Sequence, residues 1–238
     1  HIERTLHNTP QVNLNGIYDS IGFGAIGDDI LRHLVIARVC EPLSKVATVE
    51  YLKSYFDEDI RLHNIYRYMD RLYSSQRERV QRISVAHTMR VLGGRIGLVF
   101  YDVTTLYFES KPKPDDTLRQ AGFSKDGKTS ESQIVLGLLV SEDGYPLSYS
   151  IFNGSQYEGR TMIPIIDDFV QRFGLEDFVV VADSGLMSTK NVALLESAGY
   201  KYIIGARIKS ESPELRAWMM SVEWTDGAIG ECRRTGAQ

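Results

Sequence analysis

Gly97-Leu98-Val99-Phe100-Tyr101-Asp102-Val103-Thr104-Thr105 decides the fold. Its apolar run carries no charge before Asp102, which predicts a strand buried on both faces and ending at the carboxylate. A second stretch repeats the pattern: Phe178-Val179-Val180-Val181-Ala182-Asp183-Ser184-Gly185. Each aspartate can cap a turn. Two of them, each closing a buried strand, also suit a divalent-metal site, because Mg2+ takes carboxylates, waters and substrate phosphate as ligands. Rigid strand ends can hold such ligands in place.

Around these two stretches the chain alternates between strands and helices. Ile96–Asp102 is the first expected strand, and the polar segment Glu109–Lys128, with Pro112 and Pro114, is a loop or hairpin excursion. Ser132–Val140 is the second strand, Glu142-Asp143-Gly144 a turn, and Leu147–Phe152 an antiparallel third. A helix over Gly159–Phe173 closes at Gly174, and Phe178–Ala182 is the fourth strand. Ser188 caps a helix ending near Gly199, and Tyr202–Ala206 is the fifth strand. The order is β-β-β-α-β-α-β, a mixed α/β sheet with helices on its faces. If the first and fourth strands are neighbours and parallel, Asp102 and Asp183 meet at their carboxyl ends, where sites in such sheets lie.

The part before Gly94 reads as helical. Residues 1–26 are polar and Gly-rich and are expected to be a linker or arm. Asp28-Asp29 offer N-caps for a helix carrying Ile30, Leu31, Leu34, Val35 and Val39. Pro42 is expected to end it and start the next, and Asp57-Glu58-Asp59 to break that one. A third helix carries Leu62, Ile65, Tyr66, Met69, Leu72 and Tyr73; Ser74-Ser75 is expected to cap a fourth, which Gly93-Gly94 closes. Two short helices around a tight turn, the second basic and aromatic, resemble a helix-turn-helix. Residues 27–94 are therefore the candidate DNA-binding unit, with Arg61, Arg67 and Arg71 as candidate contacts.

Charge supports both halves of this reading. The net charge of the 238 residues is −4, but between Arg61 and Arg95 eight arginines face only Asp70 and Glu78, while the balance from Tyr101 onward is −6. A basic segment beside an acidic one suits phosphate binding by one part and metal binding by the other; an Arg-rich solvated helix face fits the charge equally. Two distant cysteines, Cys40 and Cys232, argue against a disulfide scaffold or zinc knuckle and for a reducing cytoplasm. No apolar run nears the ~20 residues of a membrane helix.

The wording of the motifs resembles a known family. Tyr101-Asp102-Val103-Thr104-Thr105-Leu106 and Gly122-Phe123-Ser124-Lys125-Asp126-Gly127-Lys128 resemble an insertion-sequence transposase. Gln133 to Val140, Gly144-Tyr145-Pro146-Leu147, Phe152-Asn153-Gly154-Ser155, Glu158-Gly159, Val181 to Ser188, and Tyr202 to Arg207 continue the series in order. Together with Arg32 to Arg38, Pro42-Leu43-Ser44-Lys45 and Ile65-Tyr66-Arg67-Tyr68, they are similar to the IS4-type DDE transposases, nearest the IS1634 group.

The resemblance implies an RNase H-like five-stranded mixed sheet over residues 95–210, flanked by helices and preceded by the all-α unit. It implies two Mg2+ or Mn2+ ions, double-stranded DNA at element ends and target, a homodimer, and a cytoplasmic bacterial or archaeal setting. Asp102 and Asp183 match the first two catalytic, metal-binding carboxylates. The third, a glutamate flanked by Tyr, Arg and Lys, has no match; Glu223 and Glu231 lack those neighbours. Residues 211–238 are expected to begin a β-rich insertion, and the chain is expected to be a fragment that is inactive alone. Ser184 stands where relatives often have Arg. Lys125 and Lys128 are candidate phosphate contacts or a solvated hairpin tip, and Glu158 is an acid near the site or a helix-start residue. The rival expectations are an RNase H-like nuclease that only hydrolyses and a non-catalytic DNA-binding remnant of a decayed element.

Overall fold

The computed structural model describes residues 9–109, 115–122, 131–156, 161–186, 188–205, 209, 211–223, 225 and 230. It forms two compact units. One takes His1–Val99, Leu138–Ser150 and Asp167–Glu176; the other takes Phe100–Gly137, Ile151–Ile166 and Asp177–Gln238.

In the first unit, helix α1 (Thr9–Ile21) occupies the stretch expected to be an arm. It buries Tyr18 but leaves Val12 and Ile17 exposed, so its sequence has no continuous apolar face to betray it. Asp28 caps α2 (Asp29–Cys40), accepting from the N–H groups of Ile30 and Leu31 at 3.1 and 3.4 Å. α3 (Lys45–Tyr51) begins behind Ser44, whose Oγ accepts from the Ala47 N–H at 3.2 Å. Pro42 thus lies between the helices and starts neither. A π-helical turn, Leu52–Phe56, extends α3, and Asp57 breaks it at φ 61°. Apolar clusters of Ile36, Ala37, Leu52 and Phe56, and of Ile26, Leu31 and Tyr68, pack within the unit.

The third and fourth helices are not separate. α4 (Leu62–Arg71) runs through a π-helical turn at Leu72–Gln76 into α5 (Arg77–Val91). Ser74 and Ser75 do not cap a new helix; their hydroxyls donate back to the Arg71 carbonyl at 3.3 and 2.9 Å. A serine bonded to its own preceding turn is compatible with an uninterrupted helix. The widened turn absorbs the register.

The same unit contains part of strand β4 (Pro146–Asn153) and the C-terminal half of α6 (Met162–Phe173). They hold α5 through polar contacts. Arg172 donates to Gln81 of α5, donates to Ser148 of β4 at 2.8 Å, and pairs with Asp168 at 2.5 Å. Arg77 lies 5.9 Å from the Tyr149 ring centre. Gln81 is buried, so removing its charged partner leaves a desolvated amide behind. Arg172→Leu is expected to destabilise the protein by about 2 kcal/mol. Urea unfolding measures this, and an unchanged midpoint would show that the bridge contributes nothing.

The second unit holds most of the sheet chemistry. β1 (Leu98–Phe108), β2 (Gln120–Ala121), β3 (Ser132–Ser141), β5 (Val179–Ala182) and β6 (Lys201–Ile204) lie in the order β2-β3-β1-β5-β6, and β4 also pairs with β3. The sheet is mixed: β2 is antiparallel to β3, and β5 is parallel to β6 with Val179 opposite Lys201. α7 (Thr189–Ser197) makes the β5-to-β6 crossover. This is the expected mixed α/β sheet with flanking helices, enlarged to six strands among the described residues. β2 has two residues, too few to leave a periodic signal in a polar segment.

Two expectations about β1 are corrected. The strand does not end at Asp102 but continues to Phe108, because Val103, Thr104, Thr105 and Tyr107 are β-branched or aromatic and keep the ladder going. Nor is it buried on both faces. Val99 and Tyr101 are buried, whereas Phe100, Asp102, Thr104 and Leu106 are exposed. An outward Phe100, 40% exposed, made a one-sided strand read as a two-sided one.

Helix α8 (Pro213–Ser221) occupies the stretch expected to be β-rich. Ser212 caps it, accepting from the Leu215 N–H at 3.2 Å, and Pro213 sits in the first turn, where its missing N–H costs nothing. No helix among the described residues is long and apolar enough to cross a membrane.

Candidate active site

β1 and β5 are hydrogen-bonded neighbours, which sets their backbones ~4.8 Å apart. Asp102 and Asp183 therefore stand on adjacent elements of one unit, and both are exposed.

Alternation along β1 turns Asp102 outward because Tyr101 turns inward. The Tyr101 hydroxyl bonds Thr161 Oγ1 at 2.5 Å, and both residues are buried. The ring passes over β3 at Gly137, where a Cβ would lie 2.7 Å from the hydroxyl oxygen. Only glycine leaves that space, so the Tyr101 anchor depends on Gly137. Asp102 Oδ1 accepts the N–H of Val103 at 2.8 Å.

Asp183 directly follows the last residue of β5. Its Oδ1 accepts the N–H groups of Gly185 and Leu186 at 3.0 and 3.2 Å, an Asx-type turn. The turn is pinned beyond it. Buried Asn191 donates to the Leu186 carbonyl at 2.8 Å, and Ser188 caps α7 by accepting from the Asn191 N–H at 3.1 Å. Both the capping role and the ligand role of Asp183 are therefore open to the same side chain, through different oxygens.

The donor set fits a small hard cation. Among the described residues, Oδ2 of Asp102 and of Asp183 accepts no hydrogen bond. Mg2+ is commonly held by one or two carboxylates with waters completing the shell. Among the described residues no group of three or more His, Cys, Asp or Glu side chains converges on a metal position. Glu223, just past α8, is exposed. Glu231, Glu158, Lys125 and Lys128 lie outside the described residues.

The basic segment divides sharply. Arg71 pairs with Asp28, Arg79 donates to the Ala25 carbonyl, Arg82 pairs with Glu78, and Arg90 donates to the Ile21 carbonyl at 3.2 Å. With Arg77 on Tyr149, five of the eight arginines have partners within the first unit. Arg61 and Arg67 have no ion partner among the described residues. Sequence reading missed Asn64 and Tyr68, which line a pocket with Ile30, Arg67 and Arg71. The spacing i, i+3, i+7 of Asn64, Arg67 and Arg71 was the available signal.

A mixed α/β sheet with one carboxylate on β1 and another just past the end of its neighbour β5 defines a class of oxygen-ligand site. The chain belongs to the transposase DDE domain family, whose model matches residues 93–226, more than half of its length. No curated protein matches closely enough to count as a relative. Among solved structures, the chain is similar to a Mos1 transposase paired-end complex with left transposon end at 9% identity, covering 82% of this chain and 71% of that one, with a TM-score of 0.32. A pre-cleavage Mos1 transpososome gives 9% identity, coverage of 80% and 64%, and a TM-score of 0.33. A Mos1 mariner paired end complex with Mn gives 10%, coverage of 81% and 64%, and 0.30.

Proposed function

We propose that this chain is the catalytic-core portion of a DNA transposase of the DDE type, IS4-like and nearest the IS1634 group. One observation carries the reading: Asp102 and Asp183, both within the family match, stand exposed, the first on β1 and the second just past the end of its hydrogen-bonded neighbour β5. The substrate is double-stranded DNA at element ends and target, and the working protein is a cytoplasmic homodimer. Water opens one phosphodiester and leaves a 3′-hydroxyl. That hydroxyl then attacks a target phosphodiester, so one P–O bond forms as another breaks.

Asp102 and Asp183 would hold Mg2+ or Mn2+, two ions in all, through their Oδ2 atoms. When bound, such ions activate an attacking oxygen and stabilise the leaving one. The chain's own part is to hold the ligands still: Tyr101 anchors β1 from behind, and the Asx turn fixes the Asp183 carboxylate. Arg61, Arg67, Arg71, Lys125 and Lys128 are the proposed DNA contacts.

The third carboxylate is not matched in this sequence, so the 238 residues are expected to bind DNA without cutting or joining it. The check is product analysis with linear duplex DNA and Mg2+, on this chain and on a longer family protein that contains it together with the Tyr-Arg-Glu-Lys glutamate. Joined strands from the longer protein alone support the reading. Joined strands from the 238-residue chain refute the inactivity. Hydrolysis without joining in the longer protein points to a nuclease, and neither product points to a non-catalytic remnant.

A further inference from the structure

In the pocket on α4, Arg67 and Asn64, whose side chains have no partner among the described residues, meet an apolar floor. The pocket has a volume of about 230 Å³ and is lined by Ile30, Asn64, Arg67, Tyr68 and Arg71. The floor is inert toward a ligand. Tyr68 is buried, its hydroxyl donates to Gln76 Oε1 at 2.7 Å, and burial, with Asp28 nearby, pushes its pKa far up, so it stays neutral. Arg71 is fixed in place by its ion pair with Asp28 and by the Tyr68 ring, 5.1 Å from its guanidinium carbon. Asp28 in turn has its other oxygen on the α2 backbone. Counting the lining residues and their ion partner, Arg67 and Arg71 stand against Asp28, a surplus of one positive charge. Arg67 and the Asn64 amide have no partner among the described residues.

The geometry points to this pocket as the seat of a single backbone phosphodiester of duplex DNA, with Arg67 as its ion partner, Asn64 as a neutral donor and Arg71 as a preset wall. This rests on the DNA-binding reading above and narrows it. A phosphodiester carries one negative charge, which matches the surplus, whereas a terminal phosphate carries −1.5 to −2. Guanidinium and amide donors suit its two free oxygens. A phosphate contact positions the protein and does not read sequence.

The test is binding of short duplex DNA of arbitrary sequence to the 238-residue chain over a range of salt. Each neutralised phosphate contributes about −0.9 to the slope of log K against log salt. Arg67→Ala is expected to flatten that slope by about one and to weaken binding roughly tenfold at 0.1 M salt, equally for unrelated sequences. Arg67→Lys is expected to restore the slope. Arg82→Ala, which removes an exposed partner of Glu78, is expected to leave it unchanged. Circular dichroism of each variant confirms that the helices are intact. A wild-type slope in a folded Arg67→Ala protein, or an equal loss in Arg82→Ala, overturns the pocket assignment while leaving DNA binding standing. Failure of the unaltered chain to bind duplex DNA overturns both.

Discussion

Asparagine at Asp102 or at Asp183 is expected to lower divalent-metal-dependent DNA cleavage by about a thousandfold or more, measured in a longer family protein containing this chain. Asparagine is the informative replacement. At Asp183 its side-chain oxygen can still accept the N–H groups of Gly185 and Leu186, so the turn survives and only the ligand charge is lost. Alanine there would also strip the Gly185 and Leu186 N–H groups of their side-chain acceptor, at a cost of about 1 kcal/mol, and mix a folding effect into the rate. Both aspartates are exposed, so neither asparagine variant should lower the melting temperature. DNA affinity without metal should hold or rise slightly, since a negative charge beside the phosphate is removed. Cleavage at the original rate by either variant would reduce that aspartate to a turn residue.

Alanine at Gly154 is expected to unfold the second unit or to cost more than ~3 kcal/mol. A Cβ at that position would lie 2.0 Å from the Gln133 carbonyl oxygen and 2.3 Å from that of Gln120. Both are backbone atoms, on β3 and β2, and no rotamer change can move them away. Gly122 meets the same node from the other side, with its Cβ position 2.0 Å from the Gly154 carbonyl oxygen. That carbonyl accepts from the buried Gln133 amide at 2.8 Å, so parting the strands also breaks a buried hydrogen bond. Gly144 is the control. It sits at φ 83° with nothing near its Cβ position, so alanine there costs only the ~1 kcal/mol of a left-handed residue. Thermal unfolding compares the two. Equal shifts would mean that the close approach at Gly154 is relieved easily.

These contacts explain how far the linear order could be read. The alternation of apolar runs, turn residues and caps is local, and it located β3, β4, α6, α7 and the Asp28 and Ser188 caps to within a few residues. The errors share a cause: each depended on which side of an element faces the core. Phe100 read as buried because it is apolar, yet it points outward. Ser74 and Ser75 read as caps because of their side-chain chemistry, yet they bond back into a continuous helix. α1 and α8 escaped because little of either is buried: α1 buries only Tyr18 and leaves Val12 and Ile17 exposed, and α8 buries no residue.

The same division holds for function. The sequence by itself determined the two carboxylates, their motif wording and hence the family, because identity and spacing along the chain are what a motif records. Tertiary structure decided two other matters. It made β1 and β5 neighbours, which turns residues 81 positions apart into one candidate site. It also spent five arginines of the basic segment on Asp28, Tyr149, Glu78 and backbone carbonyls. A charge count sums cations whatever their partners, and only folded contacts separate those with a partner inside the first unit from Arg61 and Arg67, which have no ion partner among the described residues.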